Sequence, residues 1–304
     1  MNLAPIVLFV YNRPEHTRKT LEALKINDLA SESILYIYAD GAKENASEIE
    51  LDAITRTRKV IKEQEWCGKV HIIESKVNKG LAASITEGVT EIVEKYRWVI
   101  VLEDDIVTST GFLVYMNDAL KYYEMEDKVM HISGYFPPIK KISQKFFFYN
   151  QTSCWGWATW SSSWVHYDSN ATKLYNQIIT KNRTKEFNLD NSYPFLEHLE
   201  NNISGLWNTW AVKWHASVFL LNGLCLHPNQ SYTENIGFDG SGVHCFKIES
   251  KSDLDKNLNK SYFEPVQKLV QSKSILKKVI KFNKKQNKEI TFAKVIKRFK
   301  KIIS

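Results

Sequence analysis

The sequence predicts an α/β fold: a mixed, mainly parallel sheet with flanking helices, followed by a basic helical tail. Three observations carry this. Strand and helix signals alternate through the first half, the order that gives parallel strands joined by right-handed crossovers. Trp98-Val99-Ile100-Val101-Leu102 is apolar throughout, as in a strand buried on both faces, and it runs straight into Glu103-Asp104-Asp105. The charge is also uneven. Residues 266–304 carry 13 Lys/Arg against one acid, Glu289, while the rest carries 28 against 33.

Taken in order, Ile6–Tyr11 is a first strand. Pro14 suits the first turn of a helix that continues through Leu21 and Leu24. Ile34–Ala39 is a second strand, ending at Asp40-Gly41. Ser47 with Glu50 three residues later forms a capping box for a helix to about Glu63. Val70–Ile73 is a third strand, and Asn78-Lys79-Gly80 a turn before a helix from Leu81 to Lys95. The fourth strand and the acids follow, then a helix from Gly111 to Glu124.

Beyond Ser133-Gly134 the texture changes, and eight of the nine tryptophans lie beyond residue 97. Phe146–Tyr149 reads as a strand and Val212–Leu221 as a helix. Residues 235–242 form a glycine-rich loop leading to His244. The segment 249–262 is polar and reads as a linker. This divides the chain into residues 1–135, residues 136–248 and residues 249–304, the last a linker with a basic amphipathic tail.

Acids that follow a central parallel strand sit at the carboxyl edge of the sheet, where open α/β sheets bind ligands. Adjacent carboxylates repel each other and need a cation between them. A hard divalent metal, with a phosphate as its partner, meets that need; a solvated acidic loop is the alternative. Arg13 and Asp40 open on the same edge and suit a base or ribose. The amide of Gly80, at a helix start, can approach a ligand. Tryptophans pack on the apolar faces of sugar rings, although most are expected to build the core. His244 is a candidate metal or phosphate contact when the loop closes.

Several classes are set aside. There is no G-x-x-x-x-G-K-S/T loop, no G-x-G-x-x-G after the first strand and no G-x-S-x-G elbow. The four cysteines include no C-x-x-C pair, so a zinc knuckle or redox motif is not expected. No apolar run is long enough to cross a membrane. The short apolar N-terminus is broken by Pro5 and reads as a strand, not a signal peptide.

The ordered series Asn12-Arg13, Asp40-Gly41, Glu103-Asp104-Asp105, Gly156-Trp157, Trp207-x-x-Trp210 and Gly242-Val243-His244 resembles GT-A glycosyltransferases. Within them it is similar to the Golgi N-acetylglucosaminyltransferase I family and its bacterial relatives in surface-polysaccharide synthesis. The resemblance implies a Rossmann-like GT-A fold, a UDP-linked sugar donor and Mn²⁺ or Mg²⁺. It makes Asp105 the metal ligand and places Asp104, with Glu103, near ribose or sugar. It puts Arg13 and Asp40 on the uracil, and it implies that residues 1–135 are the nucleotide-sugar-binding half and 136–248 the acceptor-binding half, where Trp157, Trp207 and Trp210 are the candidates to meet a sugar ring. An inverting reaction needs a general base. The family's Asp is replaced here by Asn208-Thr209, neither of which is a base at neutral pH. Asp239, Glu234 and His215 are the substitutes.

The resulting expectation is a metal-dependent, inverting glycosyltransferase acting on a saccharide acceptor, lipid-linked, in bacterial surface polysaccharide synthesis. Two alternatives stay open: an impaired saccharide-binding or scaffold protein of the same fold, and a sugar nucleotidyltransferase. The tail reads as two amphipathic helices broken at Asn283–Lys288 and lying on an anionic bilayer. That places the protein in the cytoplasm, peripheral on the inner face of the membrane. No nucleic-acid module is recognisable, so no nucleic-acid partner is expected.

Overall fold

A computed structural model describes residues 3–239 and 258–303, with side chains as far as residue 288. The chain enters through β1 (Ile6–Val10), buried at all five positions. Pro14 then opens α1 (Pro14–Lys25), where its missing N–H leaves nothing unpaired. β2 (Ile34–Ala39) leads to α2 (Glu48–Val60). The Ser47 hydroxyl accepts from the Glu50 amide at 3.2 Å, so the expected cap is in place. β3 (Lys69–Glu74), α3 (Leu81–Tyr96) and β4 (Trp98–Glu103) complete the alternating half.

The second half is denser. β5 (Ile106–Thr108), α4 (Phe112–Tyr122), β6 (Val129–Ser133), β7 (Phe146–Tyr149) and β8 (Trp157–Trp160) come first. Helices α5 (Ser161–Trp164), α6 (Ala171–Thr180), α7 (Thr184–Phe187), α8 (Phe195–Ile203) and α9 (Ala211–Leu220) follow. β9 (Leu224–Pro228), β10 (Thr233–Asn235) and α10 (Lys273–Ile303) close the chain.

Eight strands form one sheet in the order β3-β2-β1-β4-β8-β6-β9-β7. β1 pairs in parallel with β2 and β4, β2 with β3, and β6 with β9. β8 lies antiparallel between β4 and β6, and β7 is an antiparallel edge. The expected mixed, mainly parallel sheet with flanking helices is therefore present. It takes strands from both sides of the 135/136 boundary, because β8, from beyond it, lies between β4 and β6, from before it. β5 and β10 pair apart from it as a short ribbon.

Strand alternation sorts the core. Ala158 and Trp160 point to the face packed by α1 and α4. Trp157 points to the opposite face and meets Trp164, Trp210 and Trp214. A third cluster joins Phe136, Phe147 and Tyr149 to α6, α8 and α9, and it takes in Ile275 and Val279 of α10.

One expectation for the C-terminal region is corrected. α10 is one continuous helix through Asn283–Lys288, and not two. Asn283 and Asn287 donate to Ser192 Oγ and O at 3.4 and 3.0 Å, which gives these weak helix formers a reason to stay helical. The described end of the polar 249–262 segment is tied down as well. Ser109 Oγ donates to the Asn259 carbonyl at 2.6 Å, and Tyr232 OH to the Ser261 carbonyl at 2.7 Å. Tyr123 OH donates to the Val266 carbonyl and accepts from its amide, at 3.1 and 2.8 Å. Residues 259–266 thus form a strap across the body. Among the described residues no helix is long and apolar enough to cross a membrane.

Candidate active site

Asp104 and Asp105 occupy the turn between β4 and β5, at the carboxyl edge of the sheet. Both are buried, at 4% and 6% exposure. The cation that these acids demand is in place, and it is a side chain of this protein. Arg13, just after β1, donates through Nε to Asp104 Oδ2 at 3.2 Å and through Nη2 to Asp104 Oδ1. The same Nη2 lies 3.0 Å from Asp105 Oδ2. Thr20 Oγ1 on α1 donates to the Asp104 carbonyl at 2.9 Å, so Arg13 at the cap of α1 and Thr20 within it fix the acidic turn from two directions. Arg13 therefore sits on the carboxylates.

Burial pushes the Asp104 carboxyl up from its ordinary value, Arg13 pulls it down and Asp105 repels it, with a net rise. Glu103 is raised to about 8, chiefly by burial and then by its two acidic neighbours. The Arg13 guanidinium is held more firmly protonated: burial works against its charge, but Asp104 and Asp105 outweigh it. The guanidinium thus offsets charge that the buried acidic turn would otherwise hold uncompensated.

The loop after β10 returns over this turn. The Ile236 amide donates to the Asp105 carbonyl at 2.9 Å, and the Gly237 amide to Asn235 Oδ1 at 2.7 Å. A Cβ added at Gly237 would stand 2.3 Å from Asp105 Oδ2 and 3.1 Å from Arg13 Nη1, so only glycine permits this approach. Asp239 Oδ2 lies 3.1 Å from His16 Nε2 on α1. His16 was not singled out from sequence, where a lone polar residue on a helix reads as surface.

Among the described residues, Asp105 is the one that fits a divalent cation. Among the described residues no group of three or more His, Cys, Asp or Glu converges into a metal cage. Asp105 meets Arg13 through Oδ2, so a cation would be held through Oδ1. One carboxylate oxygen suits Mg²⁺ or Mn²⁺ when a diphosphate supplies further ligands. His244, the other candidate, lies outside the described residues.

Asp40 and Gly80 come together, but with each other. Asp40 Oδ1 accepts from the Gly41 and Lys79 amides at 2.8 and 2.9 Å. Its Oδ2 accepts from Asn78 Nδ2 and the Gly80 amide at 3.1 and 2.9 Å. Four donors fill a carboxylate's acceptor sites. Asp40 therefore shapes the 78–80 turn, where Gly80 takes a φ of 75°, and neither group is left to bind a base or phosphate.

The other candidates separate. His215 is buried, stacked on Phe187 at 5.0 Å, and burial lowers it to about 3, so it is a core residue and not a base. Glu234 precedes Asn235 on β10 and, by strand alternation, points to the other face of the ribbon from Asn235. Asn208 Oδ1 accepts from Lys213 Nζ at 3.5 Å, and Thr209 is bracketed by Asn202. Trp157 and Trp210 stack on each other at 5.1 Å inside the core and cannot reach a sugar. Trp207 is partly exposed, edge-on to His198 at 5.0 Å. Trp155 is partly exposed, edge-on to Tyr135 at 4.3 Å and to Phe238, in the loop after β10, at 5.4 Å.

No family model matches the chain, and no curated protein matches it. Among solved structures it is similar to a mannosyltransferase from Pyrobaculum calidifontis in complex with GDP-Man and Mn²⁺. The identity is 12% over 51% of this chain and 44% of that one, with a TM-score of 0.37. It is also similar to residues 1–349 of S. aureus TarS, at 12% identity over 52% of this chain and 47% of that one, with a TM-score of 0.33. Mouse xyloside xylosyltransferase 1, in apo form, matches at 8% identity over 71% of this chain and 80% of that one, with a TM-score of 0.35. The chain spans about half the length of the first two. These are partial likenesses, and none fixes what this chain does.

Proposed function

We propose that this chain is a GT-A glycosyltransferase that moves a sugar from a nucleotide-sugar, UDP-linked, to a saccharide acceptor. One observation carries the reading: an Asp-Asp turn at the carboxyl edge of the central strand, clamped from α1 and covered by a glycine that only a bare backbone allows. That edge is where open α/β sheets place their ligands. Asp105 would hold Mn²⁺ or Mg²⁺ together with the donor's diphosphate. The bound cation would offset charge developing on the leaving diphosphate.

The chain's own residues do the rest. Arg13 fixes the rotamers of Asp104 and Asp105 and neutralises part of their charge. Asp104, oriented by Arg13, faces the sugar or ribose. Asp239 is the candidate general base, held by His16 and set on a loop that already reaches the acidic turn. Trp155, with Tyr135 and Phe238 beside it, offers the ring face for a sugar, in place of Trp157 and Trp210. Inversion at the anomeric carbon, a lipid-linked acceptor and a part in bacterial surface polysaccharide synthesis complete the proposal.

A second reading keeps the fold as a saccharide-binding protein without turnover. It is favoured by Asn208 at the family's base position and by Arg13 occupying the carboxylates. Incubation with UDP-sugars and Mn²⁺, with UDP release followed with and without acceptor, separates the two. Asp105→Asn is expected to abolish Mn²⁺-dependent UDP binding while the fold survives. Unchanged Mn²⁺-dependent affinity in that variant would sink the assignment.

A further inference from the structure

We propose that the groove between residues 138–141 and the first half of α10 is a docking surface for an anionic lipid bilayer. The groove encloses about 1010 Å³. Lys140 and Lys141 stand on one wall and Lys277, Lys281 and Lys288 on the other, and among the described residues no acidic side chain lines it. Lys284 also lines it, but it is ion-paired with Asp190 at 2.8 Å. Ile139, Ile280 and Phe282 supply apolar surface between the cations. Lys278 Nζ donates to the Lys141 carbonyl and ties the two walls together.

The helix has little freedom to turn this face away. Ile275 and Val279 are buried at 3% and 1% exposure, and Asn283 and Asn287 bond to Ser192. Lys277, Lys281, Lys284 and Lys288 recur at three- and four-residue steps, so they share one face. Like charges so placed repel and call for an anionic partner.

Two features favour a bilayer over a single bound anion. The cations stretch over roughly three turns of helix and do not converge on a point. Apolar side chains lie among them, as on helices that rest in a headgroup layer. The location is also informative. β8 runs antiparallel to both β4 and β6, so β6 runs parallel to β4. The segment after β6 therefore leaves from the same edge of the sheet as Asp104 and Asp105. A bilayer seated in the groove would lie along that edge, where a lipid-linked acceptor could be reached. Only this last link rests on the proposed transfer reaction.

The test is co-sedimentation of the full chain with phosphatidylglycerol–phosphatidylcholine vesicles and with phosphatidylcholine vesicles. Binding is expected to the anionic vesicles alone and to weaken as salt screens the charges. Lys140→Glu and Lys141→Glu combined with Lys277→Glu and Lys281→Glu should lower partitioning about tenfold or more. The loop pair alone should lower it measurably; it lies outside every helix and strand, so it serves if the helix variant misfolds by circular dichroism. Reversal of Lys300 and Lys301, near the far end of α10, should matter less. The proposal is overturned if neutral vesicles bind equally, if the groove variants bind like wild type, or if the distal pair accounts for the loss. Displacement from vesicles by a DNA duplex at lower concentration than lipid would also overturn it, in favour of nucleic acid. No step reads transfer activity, so failure of the enzyme reading leaves this result standing.

Discussion

Arg13 grips Asp104 with two of its nitrogens across 91 positions of sequence and reaches Asp105 with one of them. Removing it leaves two buried carboxylates without their cation. Arg13→Ala is expected to destabilise the fold by about 3 kcal/mol. Arg13→Lys should recover only part, because an ammonium cannot make the forked contact. Millimolar Mn²⁺ or Mg²⁺ should raise the melting temperature of Arg13→Ala more than that of wild type. Equal shifts in both proteins would show that the acids do not compete for the two kinds of cation.

Gly237→Ala is expected to disturb the site more than the fold. The new methyl would enter the space of Asp105 Oδ2, and overpacking of this kind costs about 1–3 kcal/mol. The loop can move to relieve it, so the loss should fall on Mn²⁺-dependent UDP affinity, read by calorimetry, with little change in melting temperature. A large drop in melting temperature at unchanged affinity would contradict the placement of this loop over the site.

Trp155 and Trp157 should behave oppositely. Trp157→Ala opens a cavity between Trp164, Trp210 and Trp214 and is expected to cost about 3–5 kcal/mol of stability. Trp155→Ala should leave unfolding nearly unchanged and raise the acceptor KM roughly three- to tenfold. Denaturant titration and acceptor kinetics on the two variants check this together.

His215 gives the pH prediction. Its folded value is about 3, below the 6.5 of an unfolded histidine, so the unfolded state binds the extra proton between those limits. Stability from this group is complete above about pH 6.5 and declines as pH falls, by about 1.4 kcal/mol per pH unit. His215→Gln should flatten that part of the stability curve. Activity should show no limb that moves with this substitution, since the ring faces Phe187 and Phe195 and not the acidic turn.

Much of the first half was legible because each signal there is local. Apolar runs gave β1 to β4, Pro14 and the Ser47–Glu50 box gave helix starts, and the acids after β4 marked the functional edge. The second half was read less well. Met130-His131 and Trp157-Ala158-Thr159-Trp160 lack the plain aliphatic signature of a strand, yet all six are buried, with Trp214 Nε1 donating to His131 Nδ1 at 3.2 Å. The site was legible as residue types and not as contacts. Nothing local shows that Arg13 meets Asp104, that Asp40 faces the 78–80 turn, or which tryptophan reaches solvent. Those are properties of chain crossings far apart in sequence.

The antiparallel placement of β8 also bears on how the chain assembles. β1 to β4 can pair as soon as residue 103 is available, but the flank of β4 stays bare until residues 157–160 arrive. β6 meets the rest of the sheet only through β8 and β9. Until then the aliphatic backbone of Val99–Val101 is an open strand edge, the kind that recruits other chains. The last parallel pairing waits for residue 224, so closure of the sheet depends on contacts of long sequence separation, which form slowly. A chain cut near residue 135 would retain the acidic turn and lose the strand that shields its neighbour, making aggregation during synthesis the main hazard of this architecture.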